Sequence, residues 1–358
     1  RSHTVRAGGQ VDQVTVPKHY LITLQPGNQL SPTGAAYTVS DTNTNRGFTG
    51  YFYLQDSWKL APAWQLDYGF RYNAFTIAST SFANEYNQLS PRIKLTKFFG
   101  ERASAYLYYG RLFVPFSFEN VDPVTASQLY VNGNAPGVTF DLKPQRDSLY
   151  EAGFHVPVGP GDLGFRISHK NSTDWIDDTQ VGSTNLHQDI NFPRGVVNVQ
   201  SIAYQTPSTR RSKAYASVSH VVAQNSANCE TQLLQNCALG GPPGGDWVQA
   251  DHDQHYTVNG GIILNDRTGG WFSATLEYGS GLSTDPASCF PEDAVNCKVP
   301  PHTTLDLAKS FAVGKGAVVL SLDNAFNDRY AITLKNSLQG THYAGGRALR
   351  AQYLLGRP

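Results

Sequence analysis

Between Trp64 and Ala74 every second residue is apolar: Trp64, Leu66, Tyr68, Phe70, Tyr72 and Ala74. The residues between them are Gln65, Asp67, Gly69, Arg71 and Asn73. A period of two puts these sets on opposite faces of a β-strand, the second arm of a hairpin running from Gly47 to Phe75. The rhythm recurs along the chain. Tyr150, Ala152, Phe154, Val156 and Val158 alternate with Glu151, Gly153 and His155. Leu163, Phe165, Ile167 and His169 alternate with Gly164, Arg166, Ser168 and Lys170. Phe272, Ala274, Leu276 and Tyr278 oppose Ser273, Thr275, Glu277 and Gly279, and Leu349, Ala351 and Tyr353 oppose Arg350 and Gln352. In a soluble sandwich the apolar face would turn inward. In a membrane barrel the faces swap, apolar toward lipid and polar toward a wet lumen. Faces that hold Arg71, Glu151, Arg166 and Glu277 suit a water-filled lumen better than a closed core.

The connections point the same way. Tight turns are expected at Ala61-Pro62-Ala63, Gly100-Glu101, Gly159-Pro160-Gly161, Pro207-Ser208-Thr209, Asp266 to Gly270 and Gly314-Lys315-Gly316. Between them lie long polar connections: Pro26 to Arg46, Thr76 to Ser90, Pro115 to Arg146, Asn171 to Pro193, Ala223 to Asp253 and Ser283 to Pro301. Connections in compact soluble domains usually run about 4–6 residues. Short turns at one end and long loops at the other are what a transmembrane barrel has. The pattern predicts roughly 15 strands of about 9–13 residues, enough to cross a bilayer at a tilt. The fold class is therefore all-β, a transmembrane antiparallel up-and-down β-barrel, with residues 1–358 as one barrel domain. No stretch approaches the roughly 18 apolar residues of a membrane helix.

Composition fits this reading. Charged residues make up 16% of the chain, against roughly 25% in a soluble domain. Aromatics reach 12%, with 19 Tyr, 18 Phe and 5 Trp, as interfacial girdles demand. A formal net charge of +0 offers no basic patch for nucleic acid. The chain has no Met and opens on Arg1-Ser2-His3 directly in a strand-like segment. It is therefore expected to be the C-terminal part of a longer sequence, as an odd strand count also suggests, since closed bacterial barrels have an even number.

The cysteines form two equally spaced pairs, Cys229 with Cys237 and Cys289 with Cys297, each inside a long connection. Local disulfides are expected, in an oxidising compartment such as the periplasmic assembly route. Zinc is the rival reading, without the short Cys-x-x-Cys element of structural zinc sites.

Specific residues carry a family resemblance. Phe52-Tyr53-Leu54-Gln55-Asp56-Ser57-Trp58-Lys59-Leu60, followed by Leu66-Asp67-Tyr68-Gly69-Phe70-Arg71-Tyr72, resembles the "QD-x-W … L-x-x-G-x-R-Y" hairpin of TonB-dependent outer-membrane receptors. Leu89-Ser90-Pro91-Arg92 is similar to that family's "SPR" strand start. Leu142-Lys143-Pro144-Gln145-Arg146 and Tyr150-Glu151-Ala152-Gly153-Phe154 resemble its "L-K-P-E … Y-E-x-G". Arg194-Gly195-Val196 is similar to "R-G-V-E", with Val197 in place of the acid. Leu322-Asp323-Asn324-Ala325-Phe326-Asn327-Asp328-Arg329-Tyr330, then Gly345-Gly346-Arg347, resembles the "L-D-N-L-F-x-x-R-Y … G-R" ending. One departure is the tail, Leu355-Gly356-Arg357-Pro358, where the family usually ends on an aromatic.

The resemblance implies a barrel of about 22 strands with a plugged lumen, of which this chain would be the last two-thirds. The N-terminal plug and first strands, with the segment that contacts the TonB complex, would lie outside it. The implied function is energy-coupled import of a scarce, bulky nutrient, an iron–siderophore complex or an oligosaccharide, across the bacterial outer membrane. A passive porin and a loop-binding adhesin are the alternatives from other classes.

Catalytic constellations are missing from the sequence: no G-x-S-x-G elbow, H-E-x-x-H or glycine-rich phosphate loop occurs. No enzyme activity and no cofactor are expected. The best metal candidates are the run from Asp246 through Asp251-His252-Asp253-Gln254-His255, and Asp174 with Asp177 and Asp178, although solvated loop residues explain both as well. Substrate contact is expected from the loop aromatics Tyr130, Trp175, Trp247 and Phe290. The inward charges Arg71, Glu151, Arg166 and Glu277 are expected to dock against a plug or line the substrate path.

Overall fold

The computed structural model describes residues 2–28, 31, 33–79, 83–119, 142–180, 187–209, 211–226, 247–250, 253–283, 298–333 and 341–355. They form strands and no helix. The first five strands are β1 (His3–Leu24), β2 (Tyr37–Ala61), β3 (Trp64–Ala78), β4 (Ala83–Phe99) and β5 (Ala103–Val114). Next come β6 (Gln145–Val158), β7 (Gly161–Gln180), β8 (His187–Gln205), β9 (Ser212–Ser226), β10 (Trp247–Gln249) and β11 (Tyr256–Asn265). The remainder are β12 (Trp271–Gly279), β13 (His302–Val313), β14 (Gly316–Asp323), β15 (Ala331–Thr333), β16 (His342–Tyr343) and β17 (Ala348–Leu355).

One 15-stranded antiparallel sheet runs in chain order from β1 to β9, then β11 to β14 and β17, with β10 added on β9. β15 and β16 pair separately. Next-neighbour pairing throughout is the up-and-down order that the alternation predicts. Among the described residues β1 pairs only with β2 and β17 only with β14, so no ladder joins the two ends of the sheet.

The alternating faces sort as the sequence indicates. Phe52, Phe70, Tyr72, Leu107, Phe154, Ile167, Ile202, Val218, Leu276 and Leu320 are 37–64% exposed on the outer face. Soluble proteins rarely leave so continuous an apolar surface bare. As a lipid-facing belt it is in its proper solvent.

The tight turns fall where predicted. Gly100, Gly159 and Gly314 take φ of 76°, 57° and 57° there, a left-handed backbone that costs glycine nothing and other residues about 1–2 kcal/mol. In the turn after β11, Asp266 accepts from Lys309 Nζ at 2.8 Å, Thr268 Oγ1 at 2.8 Å and Gly270 N at 2.7 Å. The Lys309 ammonium first, then the Thr268 hydroxyl and the Gly270 amide, hold its carboxyl below the ordinary value of 3.8. Because the folded value is the depressed one, this turn gains stability above about pH 4 and loses it as the pH falls further. Asp266→Asn should lower the thermal midpoint at neutral pH, read by heat-modifiable gel mobility. The difference should close in strong acid.

Two expected loops are strands instead. The sequence pattern predicts long connections at Thr76 to Ser90 and Asn171 to Pro193, yet β3 continues to Ala78 and β7 to Gln180. Only residues 79–82 and 181–186 separate these strands from β4 and β8. Likewise β2 already begins at Tyr37, inside the expected Pro26 to Arg46 loop. Above the bilayer the outer face of a strand meets water as well, so the alternation fades while the backbone ladder continues. Strand lengths follow: β1 has 22 residues, β2 25 and β7 20, well beyond the predicted span. At about 3.4 Å per residue and a tilt near 40°, β2 rises roughly 65 Å, about twice the ~30 Å hydrocarbon core.

Several motif residues serve as joints between strands. On the outer face His3 Nδ1 lies 2.6 Å from Asp56 Oδ2, and Tyr68 Oη donates to the same oxygen at 3.1 Å. His3 also stacks on Trp58 at 5.2 Å, so β1, β2 and β3 are locked in register. At the end of β14, Asn324 takes φ of 49°. Its backbone N donates to Asp306 Oδ1 at 2.7 Å, and its side chain donates to the carbonyls of Asp328 and Gly345 at 2.9 and 3.1 Å. That asparagine ties the chain leaving β14 to the chain approaching β17.

Candidate functional site

The inner face of β2 to β7 carries a connected polar wall. Asn73, Arg71 and Asp67 share this face of β3 by strand parity, opposite Phe70 and Tyr72. The Arg71 guanidinium sits 3.5 Å over the Tyr51 ring and donates to Asn73 Oδ1 at 2.8 Å. Asn73 and Gln88 both donate to Ser90 Oγ, at 3.3 and 3.0 Å. Across β4 to β7, Lys94 Nζ caps the Tyr106 ring at 4.2 Å and Tyr106 Oη donates to Glu151 Oε1 at 2.7 Å. Arg166 stands 3.9 Å from Glu151 Oε2. Further up, Lys170 lies 3.5 Å from Asp147 Oδ2, whose side chain is 2% exposed.

The anticipated inward charges Arg71, Glu151 and Arg166 fall on this face, and Glu277 falls on the inner face of β12. The first three are engaged with neighbours rather than free in the lumen. Cation–π contacts of this kind contribute about 0.5–1 kcal/mol each where exposed, and more where water is excluded. Close approach makes the packing possible: a side chain on Gly153 would meet the Tyr106 ring at 2.7 Å.

At the long-loop end an apolar cluster covers part of this wall. Phe75 and Ile77, each 1% exposed, pack with Phe116, Phe118 and Leu142. Phe75 meets Phe116 and Phe118 edge-on at 4.9 and 5.2 Å. The segment after β5 therefore turns inward over β2 and β3. It is held there by Asn45 Nδ2, which donates to the Phe118 carbonyl at 2.9 Å. The returning end is fixed as well, Tyr86 Oη donating to the Leu142 carbonyl at 2.8 Å. The segment from Pro115 to Arg146, expected as a polar loop, thus has apolar anchors at its start and end. The signal lay in Phe75 and Ile77, apolar residues on the parity that had carried Asp67 and Arg71.

Of the expected substrate-contacting aromatics, Trp175 is on β7 rather than in a loop. Its ring lies against Gly195, with Lys170 Nζ 5.1 Å from the ring. It packs on the wall, so its placement in a loop is corrected, because β7 extends further than the alternation predicts. Trp247 is on β10, 41% exposed, with the Arg194 guanidinium 5.5 Å over its ring. Tyr130, Phe290, Cys229, Cys237, Cys289 and Cys297 lie outside the described residues, so the disulfide expectation does too.

Asp246, Asp251 and His252 are also outside them. Asp253 has a 2% exposed side chain and accepts from the Ala223 amide at 3.2 Å and from Gln249, with His255 Nε2 3.3 Å away. That carboxylate clamps the base of the connection to β9. Asp174, with φ of 52°, interrupts the β7–β8 ladder, and its carbonyl accepts from Asn191 Nδ2 at 2.9 Å. Among the described residues no group of three or more His, Cys, Asp or Glu is placed to hold a metal ion.

Solved structures share this architecture. The siderophore receptor PiuA from Acinetobacter baumannii superposes with a TM-score of 0.67 at 14% identity, over 98% of this chain and 53% of its own. The ferric-catecholate import receptor Fiu from K12 E. coli gives 0.68 at 13% identity, over 99% and 52%. The ferric yersiniabactin uptake receptor FyuA from Yersinia pestis gives 0.65 at 12% identity, over 97% and 50%. At these identities the likeness shows the fold alone, and this chain spans about half the length of each. Among curated protein sequences none matches it. The family model described as TonB dependent receptor-like, beta-barrel matches residues 2–327. With so much of the sequence matched and the strand order of a receptor barrel, the chain belongs to the TonB-dependent receptor β-barrel family.

Proposed function

We propose that the protein to which this barrel wall belongs imports an iron–siderophore complex across the bacterial outer membrane, driven by the TonB complex. The observation that carries the reading is the wall itself, apolar toward lipid and lined inside with tied-down charge, in a chain of this receptor family. Supporting the choice of substrate class, the solved structures named above are siderophore and ferric-chelate receptors. An oligosaccharide fits the same wall, and the substrate trial below separates the two.

The free edges of β1 and β17 belong to this reading. Unpaired backbone N–H and C=O groups facing lipid cost several kcal/mol each. In the complete receptor further strands would pair with both edges and close the barrel, with a plug in its lumen. The fold and family are those of transport receptors, and no step of chemistry is assigned to any residue.

The test uses the full-length protein in cells lacking their own ferric-siderophore receptors. Cells should accumulate radioactive iron supplied as a ferric catecholate or ferric phenolate chelate, and only when TonB is present. Uptake of equal rate without TonB would establish a passive channel instead. Uptake of labelled maltodextrin but of no ferric chelate would move the substrate to the oligosaccharides.

A further inference from the structure

Side-chain size is unevenly distributed around the inner wall. On β2 to β7 it carries Tyr51, Arg71, Lys94, Tyr106 and Arg166, bound to one another and to their neighbours. The next strands are different. Register places Ser201 beside Ser219, Ser217 beside Asn259, and Gly261 beside Thr275. Their chain neighbours Ile202, Val218, Ile262 and Leu276 are 37–50% exposed on the outer face, so these short residues point inward. Bulk returns above the serines, where Val199 lies beside Val221, at Glu277 two residues above Thr275, and at the tight-turn end, where the Tyr215 ring covers Gly261.

We propose that substrate crosses the barrel along the inner face of β8, β9, β11 and β12, while the β2 to β7 wall holds the plug. The proposal rests on the import reading and names the side of the barrel that import uses. Three features carry it. The crowded wall offers anchored rings and guanidinium groups, which give a lumen-filling segment fixed partners and would have to break contacts to make room. Its mouth is covered as well, because the segment bearing Phe116 and Phe118 folds over β2 and β3. The middle of the opposite wall instead presents hydroxyls and an amide close to the backbone. Each supplies a net hydrogen bond of only about 0.5–1.5 kcal/mol, and conduction favours several weak sites over one tight one.

The experiment uses the full-length receptor in its own outer membrane and a sulfonated biotin-maleimide as the probe, added outside. Single cysteines are introduced by Ser219→Cys and Thr275→Cys on the short-chain wall, and by Thr49→Cys and Ser57→Cys on the crowded wall. All four positions are half-buried in this chain, so baseline exposure does not favour either set. The parent receptor gives the background, and Thr23→Cys on the exposed end of β1 confirms that the probe reacts. Labelling at Ser219→Cys and Thr275→Cys should be several-fold faster in energised cells than in cells lacking TonB, with Thr49→Cys and Ser57→Cys unmoved. Energy-dependent labelling of the crowded wall, of both walls alike, or of neither while Thr23→Cys reacts would overturn the path and leave import standing. Rapid labelling of both walls irrespective of TonB would overturn the path together with the import reading.

Discussion

Phe70→Arg is expected to cost the folded barrel roughly 2–4 kcal/mol in lipid, whereas Asp67→Asn should cost almost nothing. Phe70 is on the outer face of β3, six residues above Trp64 at the tight turn, and is 37% exposed to what would be acyl chains. At about 3.4 Å per residue and a tilt near 40°, that height falls near the middle of an apolar band about 25 Å tall. A guanidinium there has neither water nor a partner. Leu66→Arg, on the same face but nearer the turn, should cost less because the penalty falls to about 0–1 kcal/mol near the interface. Asp67 faces inward and accepts from Gln65 Nε2 at 2.9 Å, a bond an asparagine carbonyl can also accept. Urea unfolding in liposomes, with the folded fraction read from heat-modifiable mobility, checks all three. Equal losses for Phe70→Arg and Asp67→Asn would mean that the faces are not sorted between lipid and lumen.

Phe75→Ala carries the second large expected effect, about 3–5 kcal/mol for removing a buried ring. Phe75 is 1% exposed and lies between Phe116 and Phe118. Its loss should free the inward segment, so chymotrypsin should cut at Phe116 or Phe118 many times faster than in the parent. Phe75→Leu should retain most of the protection, since volume is largely kept. Equal cleavage of Phe75→Ala and parent would show that the ring does not hold the segment.

The membrane-spanning part of this wall was legible because its chemistry is periodic. Trp64 to Tyr72 alternates without interruption, since one face meets only lipid and the other only the lumen. The same rule placed Glu151, Arg166 and Glu277 inward. Legibility ended where that division of environments ends. Thr76 to Ser90 and Asn171 to Pro193 are polar at most positions of both parities, as water on both faces allows away from the Phe75 and Ile77 cluster, and the alternation that marks a strand is lost there. Trp175 moved from loop to wall for this reason. The contacts of the wall were less accessible still: Arg71 over Tyr51, or Asn45 bonded to the Phe118 carbonyl, joins residues whose adjacency depends on register and on a chain reversal. The motifs fared better than their purpose. Asn324 was marked by its sequence context, but its role as a knot between β14 and the β17 approach is visible only from its partners.

The length of β1, β2 and β7 has a bearing on recognition. Among the described residues, much of this end is hydrogen-bonded sheet, with only residues 79–82 and 181–186 between β3 and β4 and between β7 and β8. Ordering a flexible loop around a ligand forfeits about 0.5–1.5 kcal/mol for every immobilised long side chain, with backbone cost added. A rim already stiffened by cross-strand bonds has surrendered that entropy during folding. Discrimination at such a rim would be by shape, rejecting misfits sterically, and affinity would change little with temperature-driven loop motion.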